Sequence, residues 1–385
     1  MESGSFTSRQ RRLSLLTINL CVFGTGVAWG ALTPLMALRL DRWGVDAGVI
    51  GLNAAMSPLA ILVVGPFLPR LIARLGSRRS LYCGFAAVAI TVLLLPLLPN
   101  LAAWFVLRFV AGAAASIEWV VSETWLNMMA RDRDRGRIMG VYATILAVGF
   151  SIGPLLIGLV GIDGWAPFLL VVLAILASAS PMPFAGKLAP AMPAHQAVPL
   201  VRLVAAQPLV MACGLLGGVA DLALFALLPI YSLRHGLSEA EILATVSVFV
   251  GGNVVLQIPI GWIADHVGRR AMLLACILAT LAGAALMPAA VGAGHWLYPL
   301  VFFLGGATFA IYTLGLGLLG DAYPTVQLAS ANVAFVMVYQ VGSVCGPIFA
   351  GAAMDHFGPE GLAGIVAAAA VALLAIFLRL LPRRG

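Results

Sequence analysis

The sequence predicts an all-α integral membrane protein of twelve transmembrane helices, arranged as two pseudo-symmetric six-helix bundles. Three observations predict this. The first is composition: 62% of the 385 residues are hydrophobic and only 10% are charged, against about 25% charged residues in a soluble domain. The second is that apolar stretches of spanning length, about 20 residues, recur twelve times along the chain. The third is that landmarks of the first half return in the second at a constant offset of half the chain.

In order, the apolar stretches lie near 14–38, 47–69, 79–97, 102–129, 137–161, 165–185, 207–231, 239–262, 270–291, 295–320, 328–353 and 359–380. The first follows Arg9, Arg11 and Arg12 and superficially resembles a signal peptide. It exceeds an h-region in length and further apolar segments follow, so it reads as a spanning helix. The Pro-rich stretch 186–206, with Lys187 and Arg202, reads as a linker. The expected organisation is a cytoplasmic tail 1–13, a six-helix bundle 14–185, a cytoplasmic linker 186–206, a second bundle 207–381 and a cytoplasmic tail 382–385.

The net charge of +7 is explained by topology. With the N-terminus inside, eighteen Lys and Arg residues fall on the cytoplasmic side, and only Arg39, Arg42 and Arg234 fall outside. By the positive-inside rule both termini are cytoplasmic. No basic block alternates with aromatics, so nucleic acid is not an expected partner. Cys21, Cys83, Cys213, Cys276 and Cys345 each stand alone in apolar sequence, which indicates neither a metal site nor a disulfide framework.

The repeat is carried by three landmarks. Trp43-Gly44-Val45 matches His235-Gly236-Leu237, and ARLGSRR (73–79) matches DHVGRRA (265–271), with each glycine pair 192 apart. GFSIGPLLIG (149–158) matches GSVCGPIFAG (342–351) at an offset of 193. These last two put Gly149, Gly153, Pro154 and Gly158, and Gly342, Gly346, Pro347 and Gly351, inside apolar runs. Proline within a helix costs roughly 3 kcal/mol, so its recurrence at matching places marks a feature of the duplicated fold. Parallel repeats of this kind are a transporter construction with a site near the bilayer midplane.

Residues 261–273, GWIADHVGRRAML, resemble the loop signature of the major facilitator superfamily, G-x-x-x-D-x-x-G-R-R, at every fixed position: Gly261, Asp265, Gly268, Arg269 and Arg270. The twelve segments and the repeat extend the resemblance over nearly the whole chain. It implies a cytoplasmic gate in which Asp265 faces the start of the fifth segment, near 135–140. A carboxylate is favoured at a helix N-terminus. The first-half copy has Pro69 and Ala73 where Gly and Asp are expected, and retains Gly76, Arg78 and Arg79. A carboxylate gate is therefore expected only in the second half.

Segment four, LRFVAGAAASIEWVVSETWLN (107–127), holds Arg108, Glu118 and Glu123. A charge at bilayer depth costs roughly 3 kcal/mol or more and usually faces a cavity or a partner. At about 100° per residue the three fall within about 140° of one face, so one helix can present them together. Arg108-xxx-Gly112 also resembles the superfamily's fourth-segment motif, whose arginine is associated with proton coupling. The corresponding stretch 300–320 has no charge before Asp321, so the repeat does not explain these residues. Burial disfavours a carboxyl's charged form, so such a glutamate is suited to exchanging a proton, holding a cationic substrate, or each in turn. A polar lock between helices is the structural alternative.

Asp221 is the acid in the middle of segment seven and is a second coupling or substrate candidate. Asn53, Asn253, Gln257, Tyr312, Tyr339 and Gln340 are candidates for polar cavity lining, and Trp29, Trp119 and Trp125 for stacking on a flat or cationic ligand. Gly149–Gly158 resembles the superfamily's antiporter motif but has Ile157 where glycine is usual. There is no P-loop and no nucleophile–base set, so neither ATP drive nor enzyme activity is expected.

The resemblance points to the small-molecule or drug proton-antiporter branch. The expectation is a monomeric secondary transporter of the inner membrane, without cofactor, powered by the proton gradient. Its partners are a small-molecule substrate, protons and the lipid bilayer. Proton symport or facilitated uptake of a polar metabolite is the alternative, and a non-transporting membrane sensor or scaffold is the third reading.

Overall fold

The computed structural model describes residues 8–129, 134–185, 204–323 and 325–380. Residues 1–7 of the expected N-terminal tail, 186–203 of the linker with Lys187 and Arg202, the loop arginines Arg131 and Arg133, and the C-terminal tail lie outside the described residues.

Among the described residues, twelve helices are long and apolar enough to cross a membrane. They are α1 (Ser8–Arg42), α2 (Ala47–Val64, continued through a 3-10 turn at Gly65–Phe67 into Leu68–Leu75), α3 (Ser77–Leu97) and α4 (Leu101–Met129). Then follow α5 (Arg135–Val160), α6 (Ala166–Ala179, with a short helix Met182–Ala185 after it), α7 (Pro208–Arg234) and α8 (Glu239–Val267). The last four are α9 (Arg269–Gly292), α10 (Leu297–Ala322), α11 (Thr325–Phe357) and α12 (Gly361–Arg379).

Local chemistry sets the ends. Ser238 and Glu241 form a capping box at the start of α8: Glu241 N–H donates to Ser238 Oγ at 3.4 Å and Ser238 N–H to Glu241 Oε2 at 2.9 Å. Between α2 and α3 the chain turns at Gly76, φ +83°, and between α8 and α9 at Gly268, φ +93°. Only glycine adopts this backbone without strain, which explains why the repeat keeps both.

Contacts divide the chain into two compact units: Met1–Leu32 with Val63–His195, and Thr33–Leu62 with Gln196–Gly385. This line crosses α1 and α2 and so differs from the division that the repeat suggests. The first turn of α2 is tied into the second unit: Asp355 of α11 accepts hydrogen bonds from Ala47 N–H at 2.9 Å and Gly48 N–H at 2.7 Å. Gly351 of α11 also lies directly against Ala47 and Gly48.

The glycine–proline motifs acquire a structural role inside each unit. In the first, a Cβ on Gly153 of α5 would come within 2.7 Å of Gly30 of α1, and one on Gly149 within 2.9 Å of Val27. Gly26 of α1 answers from the other side, so the two backbones touch through glycines. In the second unit, a Cβ on Gly346 of α11 would come within 2.8 Å of Val219 of α7, and one on Gly342 within 3.0 Å of the same residue. Gly218 answers Ser343 at 3.0 Å. Gly26 and Gly218 are again 192 apart. The α1–α5 and α7–α11 pairs are therefore one design used twice. Close approach through small residues is how membrane helices gain contact where lipid is as apolar as the side chains. Pro154 and Pro347 sit inside these packed helices, both buried.

Candidate functional site

In the first unit, packing brings Glu118 of α4 against Thr25 of α1. Glu118 is only 5% exposed, and its carboxylate accepts a hydrogen bond from the Thr25 hydroxyl of α1. Glu123 lies further along the same helix, and Trp119 Nε1 donates to its Oε1 at 2.7 Å across one helical turn. Arg108 is equally buried, ten residues before Glu118, or roughly 15 Å along the axis at 1.5 Å per residue. The structure thus keeps Arg108 and Glu118 in separate surroundings along one helix.

In the second unit, contact between Gly218 and α11 places Asp221 beside Tyr339. The Tyr339 hydroxyl donates to Asp221 Oδ2 at 3.3 Å. Asp221 is 2% exposed, and its Oδ1 is buried without a hydrogen-bond partner among the described residues. Tyr339 meets Tyr312 edge-on, with ring centroids 4.7 Å apart, and Tyr312 packs on Phe335 at 5.2 Å. Three residues chosen separately from sequence therefore form one polar–aromatic cluster, with Asp221 buried and Tyr312 and Tyr339 half-buried. A carboxylate oxygen held in this way is suited to a proton or another small cation.

A second polar run follows α8. Gln257 Nε2 donates to Asn253 Oδ1 at 2.7 Å, and the Thr313 hydroxyl of α10 donates to Gln257 Oε1 at 2.9 Å. Gln257 and Thr313 open onto a pocket of about 230 Å³ shared with Gly261, Asp265 and Arg269. Arg269 is anchored by Gly317 O at 2.9 Å and Asp321 Oδ1 at 2.5 Å. Asp265 and Arg270 are exposed, and the space beside Gly261 is open. In the first-half copy of this loop, the Arg78 guanidinium stands over the Tyr82 ring at 5.8 Å, and Arg79 is exposed.

The remaining candidates separate by exposure. Asn53 and Trp125 are completely buried; Trp125 therefore has no open face for stacking. Trp29 and Gln340 are half-buried, and Trp119 is 46% exposed. No group of three or more His, Cys, Asp or Glu residues suited to a metal occurs among the described residues. Sequence reasoning missed Thr25, Thr313 and the acids Asp355 and Glu360. A hydroxyl in an apolar run, or an acid at a helix end, gives no sign of its distant partner.

The sequence pattern of the Major Facilitator Superfamily matches residues 18–252 and 210–385, together almost the whole chain. The chain belongs to the major facilitator superfamily. It is 30% identical over 380 residues to an uncharacterized MFS-type transporter of Enterobacter sp. (strain 638), covering 95% of this chain and 93% of that one. Identity to the uncharacterized MFS-type transporter YcaD of Escherichia fergusonii is 30% over 372 residues, with the same coverage. YfkF of Bacillus subtilis (strain 168), also an uncharacterized MFS-type transporter, is 26% identical over 368 residues, 91% of each chain. The crystal structure of the nucleoside transporter NupG superposes with a TM-score of 0.71, covering 95% of this chain and 98% of that chain. At 16% identity this likeness shows the fold and carries no substrate. The protein is a multi-pass membrane transporter of this superfamily.

Proposed function

We propose that this MFS transporter is a secondary active carrier that exports a small, cationic or amphipathic molecule across the inner membrane in exchange for protons. One observation carries the reading: Glu118 is a carboxyl inside a membrane-spanning helix, 5% exposed, with Thr25 of α1 donating to it. An isolated charge there is costly, so the group is suited to binding a cation or a proton, one at a time. That exclusion is the simplest basis for antiport. Asp221, beside Tyr339, supports a second such position. The energy source is the proton gradient, no cofactor takes part, and the two bundles alternate access to the substrate by rocking. The gate reading of Asp265, Arg269 and Arg270 belongs to the same proposal.

The test is transport in proteoliposomes under an imposed pH gradient, with a panel of cationic dyes and polar metabolites. Glu118→Gln is expected to abolish gradient-driven movement in protein that remains monodisperse. Undiminished movement in that variant removes Glu118 from the mechanism. Accumulation of substrate in the direction of proton flow replaces antiport with symport. Movement of neither compound nor protons favours a sensor or scaffold.

A further inference from the structure

At one end of the second unit, where α7 and α11 finish and α8 and α12 begin, charged side chains gather. Arg234 donates to Met354 O at 3.1 Å and to Asp355 Oδ1 at 3.4 Å. Asp355 in turn holds the first two amides of α2. Arg42 and Glu239 form an ion pair nearby, and Asp41 lies within electrostatic reach of Arg234. The residue after Arg234 is His235, which closes α7.

The imidazole of His235 has an acceptor at each nitrogen. Nδ1 is 2.8 Å from Tyr231 O, and Nε2 is 2.9 Å from Glu360 Oε1. A carbonyl oxygen only accepts, and so does an ionised carboxylate. Both contacts are hydrogen bonds only if the ring donates from both nitrogens, or if Glu360 itself carries the second hydrogen. Satisfying both contacts at once takes one proton more than a neutral imidazole beside a carboxylate carries.

The surroundings suit that extra proton. The Tyr231 hydroxyl donates to the other Glu360 oxygen at 3.3 Å, and the Tyr231 ring lies 4.4 Å from the imidazole, centroid to centroid. An aromatic face and a helix C-terminus both favour a cation. The His235 and Glu360 side chains are 20% and 41% exposed, so a proton can reach them from water.

Two other histidines act as internal controls. His266 and His356 place Nδ1 2.7 and 2.9 Å from the carbonyl four residues back, as His235 does. Neither has a carboxylate at Nε2 among the described residues, so a neutral ring satisfies both. Trp43 occupies the position equivalent to His235 in the repeat, so the fold itself does not call for a histidine there.

We infer that His235 and Glu360 form a proton-binding site whose occupancy fastens α7 to α12 and steadies the grip of Arg234 and Asp355 on the first turn of α2. The sign follows from the bound proton. The fastened state prevails at low pH and loosens as pH rises. On the proposed orientation this end faces the outside, so outside acidity favours the fastened state. The inference does not depend on Glu118, and its test requires neither substrate nor gradient.

The test is hydrogen–deuterium exchange of the full chain in lipid nanodiscs between pH 5.5 and 8.5, corrected for intrinsic exchange chemistry. The reporters are the Ala47 and Gly48 amides that Asp355 accepts. The first turn of α8 serves as reference. Protection of residues 47–48 is expected to fall at least roughly tenfold as pH rises, relative to the reference, and to become independent of pH in His235→Gln. Glu360→Gln keeps an oxygen that can accept from Nε2 but removes the ionisable carboxylate that shares the proton, and it is expected to abolish the response as well, which keeps the test decisive if His235→Gln does not fold. Equal protection across the pH range in the unmodified chain overturns the inference. So does a full response that persists in either folded variant.

Discussion

At the scale of single residues, the exposure and partners of Glu118 and Asp221 set their chemistry. A hydrogen bond to a charged group contributes about 1.5–3 kcal/mol, so the Thr25 hydroxyl is a substantial part of the surroundings of Glu118. Thr25→Val keeps the shape and removes the donor. It is expected to lower pH-driven transport by about tenfold or more at saturating substrate, while Thr25→Ser retains most of the rate. Initial rates in proteoliposomes check this. Equal rates in Thr25→Val and the unmodified chain would show that Glu118 does not use this partner. Tyr339→Phe tests Asp221 in the same way, because the ring and its contact with Tyr312 stay while the hydroxyl bond is lost.

At the scale of elements, glycine positions decide which helix pairs touch. Gly153→Leu would drive a side chain into the α1 backbone at Val27 and Gly30, and Gly346→Leu into α7 at Val219. Overpacking commonly costs about 1–3 kcal/mol, and backbone has little room to yield. Both variants are expected to lose several degrees in thermal unfolding or to leave the monodisperse fraction during size exclusion. Gly261→Ala provides the contrast. Nothing lies within 4 Å of the added carbon, so melting should move by less than about 0.5 kcal/mol in equivalent terms. Gly268→Ala meets no neighbour either, yet its φ of +93° is strained for any residue with a Cβ. A loss of about 1–2 kcal/mol is expected there from backbone conformation alone. Melting curves of the three variants separate contact from conformation.

At the scale of the whole molecule, the excess of arginine and lysine on one side predicts the orientation. A C-terminal alkaline phosphatase fusion is expected to be inactive, and one placed after Trp43 active; the reverse pattern would overturn the assignment of sides. Light scattering of purified protein is expected to give a monomer mass. Exposed ion pairs contribute about 0–1 kcal/mol, so Arg42→Gln is expected to leave melting nearly unchanged despite its pair with Glu239. The fastening inferred at this end of the second unit rests on the hydrogen bonds of Asp355 and His235 rather than on that pair.

Much of this molecule is written in local sequence. Apolar length fixes the twelve helices, because a bilayer leaves the backbone few ways to satisfy its hydrogen bonds other than a helix. The positive φ at Gly76 and Gly268 is legible as a turn glycine kept twice. The motif pair at 149–158 and 342–351 is legible as a feature of the fold, and the structure identifies its partners as α1 and α7. Helical periodicity gives the face on which Glu118 lies, but it cannot tell which helix stands opposite. Thr25 is 93 residues from Glu118, and Glu360 is 125 from His235. These pairings are long-range consequences of packing, in which small residues at one level of the bundle bring polar groups together at another. The sequence by itself determined that this chain crosses a membrane in two repeated halves. Only the tertiary structure decided which buried charge meets which hydroxyl, because a hydrogen bond depends on distance in space and apolar periodicity records only direction around a helix.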